Sequence, residues 1–236
     1  SFANKIPIIG IDHVHAHMYP PFLEADNRKK MPKFPLMGLV VSGGHTSLYY
    51  FRNFDKFKIL GETLDDAAGE AFDKVAKLLK LGYPGGPLVE NIAQNGNARA
   101  YNFQCGNNDD LNFSFSGVKT AVLYKVRDIE KRGRVSRKQK SDLAASFQAA
   151  VAASLVDKAM LALSRRRIKT LVVGGGVAAN KYFRRKLFEE AAKNGIEVFI
   201  ASQYLCTDNA AMIAGLGYQL YRSGKKDSLS FKPILY

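Results

Sequence analysis

The sequence is short of cysteine, of acidic residues and of long apolar runs, and each shortage excludes something. Cys105 and Cys206 are its two cysteines. They supply no disulfide framework and fit a reducing compartment, with the cytoplasm expected and a mitochondrion or plastid left open. No apolar run reaches the ~18 residues a membrane-spanning helix needs, so no membrane partner is expected. There is no internal repeat and no low-complexity tract. The chain begins Ser1-Phe2-Ala3-Asn4, with neither an initiator Met nor a signal-type apolar core, so an earlier natural start is expected. Asp and Glu number 21 against 35 Lys and Arg, for a net charge of +14. That excess points to a polyanionic partner such as nucleic acid, beside the plainer reading of a basic surface. With 47% hydrophobic and 24% charged residues the composition is that of a globular protein, not a disordered or collagen-like chain. Its 236 residues suffice for one large domain or one and a half ordinary ones, at about 150 residues per domain.

The isoleucine-rich residues 6–11 predict a short strand, and Asp12 is placed to cap a helix carrying His13 and His17. Pro20-Pro21 should end or kink that helix. Residues 28–35 read as an exposed linker. Strands are predicted at 36–41, 46–52 and 57–62, with Asn53-Phe54-Asp55 turning between the last two. Asp65 or Asp66 should open a helix with Phe72, Val75, Ala76 and Leu79 on one face, ended by Gly82 and Pro84. Residues 82–140 read as irregular, with a Gly/Asn/Asp cluster at 106–110. Ser141 then opens a helix, followed by a strand at 170–173, a helix at 180–194 and a strand at 196–200. Thr207 or Asp208 should cap a last helix to about residue 222. This alternation predicts an α/β fold, a parallel sheet covered by helices on both faces, with residues 6–23 as the tail of something preceding.

Three of the four histidines lie in Asp12-His13-Val14-His15-Ala16-His17. On a helix, His13 and His17 share a face and His15 points away. Such a pair is either a surface feature or half of a metal site. Asp208, at the handover from last strand to last helix, is the candidate third ligand, because α/β sheets place ligands at the carboxyl ends of their strands. Two His and one carboxylate leave open positions and suit non-haem iron or catalytic zinc. A zinc protease needs Glu beside the first His, and Val14 stands there.

Val41-Ser42-Gly43-Gly44-His45-Thr46 ends a hydrophobic strand and reads as a tight turn or an anion-binding nest. Gly174-Gly175-Gly176-Val177-Ala178-Ala179-Asn180 likewise leads from a strand into a helix whose N-terminus favours negative charge. It is not G-x-G-x-x-G, which disfavours a dinucleotide site. Tyr83-Pro84-Gly85-Gly86-Pro87 is a rigid turn with backbone open to a ligand. Asp65, Asp66, Glu70 and Asp73 suit the first turns of a helix, but Asp73 lies far enough in to bond a ribose or hydroxyl. Basic residues cluster at 127–140, 165–169 and 184–186. Each alone reads as a solvated face; together they favour phosphate-backbone contact without base specificity.

Long motifs in order resemble the tRNA adenosine threonylcarbamoyltransferase family (TsaD in bacteria). They are His13-Val14-His15-Ala16-His17, Val40 to Thr46, Leu64 to Pro87, Phe113-Ser114-Phe115-Ser116-Gly117-Val118-Lys119-Thr120, Gly174 to Asn180 and Cys206-Thr207-Asp208-Asn209-Ala210-Ala211-Met212. The resemblance implies the actin/Hsp70/sugar-kinase-like (ASKHA) fold, which pairs two βββαβαβα halves. Here the second half is complete (36–236, with the irregular insert at 82–140) and the first is largely absent, leaving a βα remnant with the His helix (1–35). It implies one divalent metal, Fe(II) or Zn(II), on His13, His17 and Asp208. It further implies threonylcarbamoyl-AMP held by Val40, Val41, Ser42, Gly43, Gly44, Asp73, Gly86 and Asn180. The implied reaction moves the threonylcarbamoyl group to N6 of adenosine 37 in tRNAs reading codons that start with A. A TsaB-like heterodimer partner and a TsaE-like ATPase are the implied partners in a bacterium.

Gln104-Cys105-Gly106 and the tail at 231–236 depart from the family's FPRP-like and RPRW-like segments. With the first half largely absent, a non-catalytic fragment or scaffold binding tRNA or a partner is the alternative. An ATPase or sugar kinase of the same fold ranks lower, since Val41-Ser42 stands where those relatives carry an acid before the glycines. No general base is assigned.

Overall fold

The computed structural model describes residues 6–24, 30–106 and 110–230. The tail at 231–236, the middle of the 106–110 cluster and part of the 28–35 linker lie outside them. Strands β1 (Leu36–Val41), β2 (Thr46–Phe51) and β3 (Phe57–Glu62) form an antiparallel meander. Strands β4 (Thr170–Gly174) and β5 (Glu197–Ile200) join β1 in parallel, giving the order β3-β2-β1-β4-β5. The sheet is therefore mixed, where the sequence predicted it parallel. The links after β1 and β2 are too short for a crossover, so those strands must reverse.

Strand β1 divides the core by alternation. Met37, Leu39 and Val41 pack on one face and Leu36 and Val40 on the other. The first face is covered by α3 (Ala68–Leu78), α4 (Gly85–Ala93), α5 (Ser116–Glu130), α6 (Arg137–Arg166) and α7 (Lys181–Lys193), with the short α8 (Gln203–Cys206) beside them. The second is covered by α1 (His13–Ala16) and α2 (Pro20–Leu23), with α9 (Ala210–Arg222) packed against both. This βββαβαβα arrangement is one half of the actin/Hsp70/sugar-kinase-like fold.

Several local expectations shift. Residues 6–11 form no strand; Ile8 makes one isolated bridge, to Asp227. Among its described residues the stretch 82–140 holds α4, α5 and the start of α6; in α5, Val118, Val122 and Val126 recur every fourth residue and are buried. Ser141 is buried within α6, which begins earlier because Ser136 and Gln139 cap it reciprocally. Of the linker, Phe34 packs on Phe22 and Phe54 rather than facing water. Among the described residues α6 alone is long and apolar enough to cross a bilayer, yet 61% of its apolar stretch is buried in the core.

Helix α3 starts at Ala68, after Asp65 and Asp66, because both carboxylates are engaged elsewhere. Asp65 accepts from Ser114 Oγ and from the backbone N–H groups of Phe115 and Ser116, tying α3 to the start of α5. Asp66 accepts from Lys74 Nζ and Lys119 Nζ, each at 2.6 Å. Burial acts to raise the Asp66 pKa, but the Lys119 and Lys74 ammonium groups outweigh it and hold it below the usual carboxylate value. Asp66→Asn should therefore cost about 2 kcal/mol, less than a fully buried pair because the lysines reach water. Since the folded pKa is depressed, this stabilisation is present at neutral pH and fades as pH falls below about 4. Urea unfolding at pH 7 and pH 3 should show a gap between wild type and variant that narrows in acid.

Candidate functional site

Asp12 caps α1 by accepting from the His15 N–H at 3.0 Å, which winds one short turn. That turn sets His13 and His17 side by side, ring centroids 5.0 Å apart. His15 points the other way, among Tyr49, Phe51 and Phe57. Helix α9 is capped by Asn209, whose Oδ1 accepts from Met212 N. The expected caps Thr207 and Asp208 are thereby spared, and the Asp208 carboxylate turns to the histidines. Its Oδ1 lies 3.4 Å from His13 Nε2 and 3.2 Å from His17 Nε2.

One donor atom from each of the three residues lies within 4.8 Å of the others. Donors bound to one metal at about 2.1 Å stand roughly 3 to 3.5 Å apart in open four- to six-coordinate geometry, and the two Asp208–His distances fall in that range. Burial pushes the His17 pKa down, His13 acts the same way, and Asp208 opposes both. Neutral imidazole is the form that ligates. His17 Nδ1 is buried and makes no hydrogen bond among the described residues, while His13 and Asp208 face solvent. The triad thus has a buried inner member and an open outer side.

The glycine loops abut this triad. A Cβ on Gly174 would stand 1.9 Å from the His17 carbonyl oxygen, and one on Gly175 (φ +93°) 2.4 Å from the Val41 oxygen. Only glycine lets the end of β4 lie against both the His segment and the end of β1. Ser42 closes the β1–β2 turn through His45, and its carbonyl accepts from Gly69 N at the start of α3. Thr46 Oγ1 accepts from Ala68 N, holding the same junction. A Cβ on Gly43, Gly44 or Gly86 would meet nothing within 4 Å. Packing does not require glycine there; its absence of a side chain keeps the face open.

The other expected substrate residues split in two. Asp73 Oδ1 accepts from Gly85 N at 2.7 Å, binding the Gly85-Gly86 turn to α3. Asn180 is buried: Oδ1 caps α7 at Phe183 N and Nδ2 donates to Gln148, leaving one side-chain N–H. Val40 and Val41 are fully buried on opposite faces of the sheet, so only their backbone can face a ligand. Lys181 N donates to Glu90 in α4, which brings the Gly86 helix against the Asn180 segment.

Arg184 is a part of this edge that sequence reasoning missed. Its Nε donates to the Ala178 carbonyl and its Nη2 to the Ala201 carbonyl, each at 2.6 Å, and Nη2 also contacts Cys206 Sγ. It braces the loop before Asn180 against the segment that leads to Asp208. In sequence it was one of three consecutive basic residues, and nothing marks which of them turns inward.

A family model, TsaD: tRNA N6-adenosine threonylcarbamoyltransferase, matches residues 1–215. The chain is 50% identical to the tRNA N6-adenosine threonylcarbamoyltransferase of Dictyoglomus turgidum over 97% of its own length and 67% of that protein's. It is 50% identical to that of Thermosipho melanesiensis (92% and 64%) and 45% identical to that of Clostridium botulinum (99% and 68%). The chain thus spans about two thirds of the length of these curated relatives. Among solved structures, full-length HypF in its phosphate- and nucleotide-bound form superposes with TM-score 0.68 at 16% identity, over 93% of this chain and 44% of that one. The T. kodakarensis HypF structure gives 0.67 at 14%, over 93% and 38%. At that identity the likeness establishes the fold.

Proposed function

This chain belongs to the tRNA N6-adenosine threonylcarbamoyltransferase family, and from that membership we propose that it transfers the threonylcarbamoyl group of threonylcarbamoyl-AMP to N6 of adenosine 37 in tRNAs reading ANN codons. The observation that carries the reading is the meeting of the His13/His17/Asp208 triad with the two glycine loops, brought about by Gly174 against His17.

In this reading the open backbone of Ser42, Gly43, Gly44 and Gly86 receives the AMP part, with Asp73 and Asn180 holding the turns beneath it. His13, His17 and Asp208 would hold one divalent metal, Fe(II) or Zn(II), which when bound supplies Lewis-acid polarisation of the threonylcarbamoyl group. The loops present the carbamoyl carbon to the adenosine amine. The N6–C bond forms as the C–O bond to AMP breaks, AMP leaves with the electron pair, and one amine proton passes to water. Positioning supplies much of the rate. A TsaB-like partner and a TsaE-like ATPase complete the proposed assembly, in the cytoplasm.

Calorimetric titration with threonylcarbamoyl-AMP tests the loop assignment. Gly44→Val fills open space without touching the core, so it should weaken binding at least about tenfold, the cost of roughly 1.4 kcal/mol, with thermal stability unchanged. Equal affinity in wild type and variant would remove this loop from the site.

A further inference from the structure

The three basic clusters are alike in sequence, but the fold separates them. Helix α6 has 30 residues, so it is about 45 Å long. It ends at Arg166, beside the first residue of β4, Thr170. Strand β4 then runs toward Gly174, which touches His17. Helix α6 is therefore antiparallel to β4, and its N-terminus projects from the sheet edge that carries the glycine loops and the triad. Gln148, bonded to Asn180, marks the level of the site. Arg137 stands about 16 Å beyond it along the helix axis, and the 165–169 cluster about 25 Å the other way.

The clusters differ in commitment as well. At the far end, Arg166 lies over the Tyr50 ring and Lys169 Nζ donates to the Asn194 carbonyl. In the third cluster, Arg184 is the internal brace, and Arg185 and Lys186 both pair with Glu189. At the α5–α6 turn, which Gly133 (φ +141°) allows, residues 125–140 hold eight basic side chains against Asp128 and Glu130. Arg127, Lys131, Arg134 and Arg137 are exposed and make no ion pair among the described residues.

We propose that the α5–α6 turn grips the phosphodiester backbone of the tRNA anticodon stem, and that the 165–169 end of α6 takes no part. The identity of the polyanion rests on the function proposed above; the choice of surface rests on the direction of α6. Nucleic-acid duplexes carry about one phosphate charge per 1.7 Å of axis. Cations some 16 Å from the site therefore meet stem phosphates several pairs from the reacting base. Such contacts fix orientation and affinity without reading sequence.

Fluorescence anisotropy of the whole chain with an unmodified tRNA transcript carrying adenosine 37, between 50 and 200 mM salt, tests this. The triple variant Lys131→Gln, Arg134→Gln, Arg137→Gln should bind at least about tenfold more weakly. Its log–log salt slope should be shallower by about 2 to 3, near one unit per lost phosphate contact. The control Arg165→Gln, Arg166→Gln, Lys169→Gln should change affinity less than about twofold, with both variants fully folded at the assay temperature by circular dichroism, the control melting somewhat lower for its lost contacts with Tyr50 and Asn194. Equal losses in both triples, or none in the first, overturn the surface. Calorimetry with threonylcarbamoyl-AMP keeps the two readings apart. A chain that binds tRNA through the turn but not the adenylate overturns the function and leaves the surface standing. Adenylate binding with tRNA affinity indifferent to the turn overturns the surface alone.

Discussion

Asp208→Ala should leave the fold intact and abolish the proposed metal binding. The carboxylate is 75% exposed and its oxygen is the atom both histidines face, so its loss takes one of the three proposed ligands and almost no packing. Changes to groups that merely support a ligand cost 10- to 100-fold in metal affinity, so loss of the ligand itself should exceed about 100-fold. Threonylcarbamoyl transfer should fall with it. Elemental analysis after dialysis against limiting Fe(II) or Zn(II) should find near-stoichiometric metal in wild type and next to none in the variant, with matching thermal melts. Stoichiometric metal in the variant would mean that the triad is not the metal site.

Gly174→Ala should damage both stability and the site. The added Cβ would meet the His17 carbonyl oxygen at 1.9 Å and its carbon at 2.6 Å. These are backbone atoms, so relief requires moving the His segment or the end of β4. Overpacking commonly costs 1–3 kcal/mol, and a backbone collision belongs at the top of that range. About 3 kcal/mol lowers the melting temperature by roughly 6–12 °C in a chain this long. Metal affinity should fall as well, since His17 is the buried member of the proposed ligand set. Gly176→Ala, two residues on, places its Cβ in open space and should melt as wild type does. A Gly174→Ala protein with unchanged melting and metal affinity would show that this contact does not hold the site together.

How much of this was legible in sequence follows from the range of the forces involved. The bounds of β1, β2 and β3 were legible nearly to the residue, though not their antiparallel pairing, because apolar runs and the Asn53 turn, whose side chain accepts from Lys56 N, are local signals. The meeting of His13, His17 and Asp208 was legible as well, the first two by helical spacing and Asp208 by its place after a strand. Helix starts were less so. Asp65 and Asp66 have the chemistry of caps, yet distant partners, Ser114 and Lys119, claim their oxygens. Asn209 rather than Thr207 or Asp208 caps α9, and that choice frees Asp208 for the histidines. The contact between Gly174 and His17 joins residues far apart in sequence, so no local pattern announces it. Asn180, which the resemblance implies as a substrate residue, has two distant or capping partners, Gln148 and Phe183, that its place after a glycine loop does not announce. The direction of α6, which ranks the basic clusters, becomes visible only once its end is seen beside β4.

The most direct measurement is product formation. The chain would be mixed with preformed threonylcarbamoyl-AMP, an unmodified tRNA bearing adenosine 37, a TsaB-like partner and Fe(II) or Zn(II), and the digested tRNA examined by mass spectrometry. Threonylcarbamoyladenosine in the wild-type reaction, absent with Asp208→Ala, is the predicted result. Unmodified adenosine in the wild-type reaction, with metal bound stoichiometrically and tRNA bound, would contradict it and leave the chain as a binding scaffold.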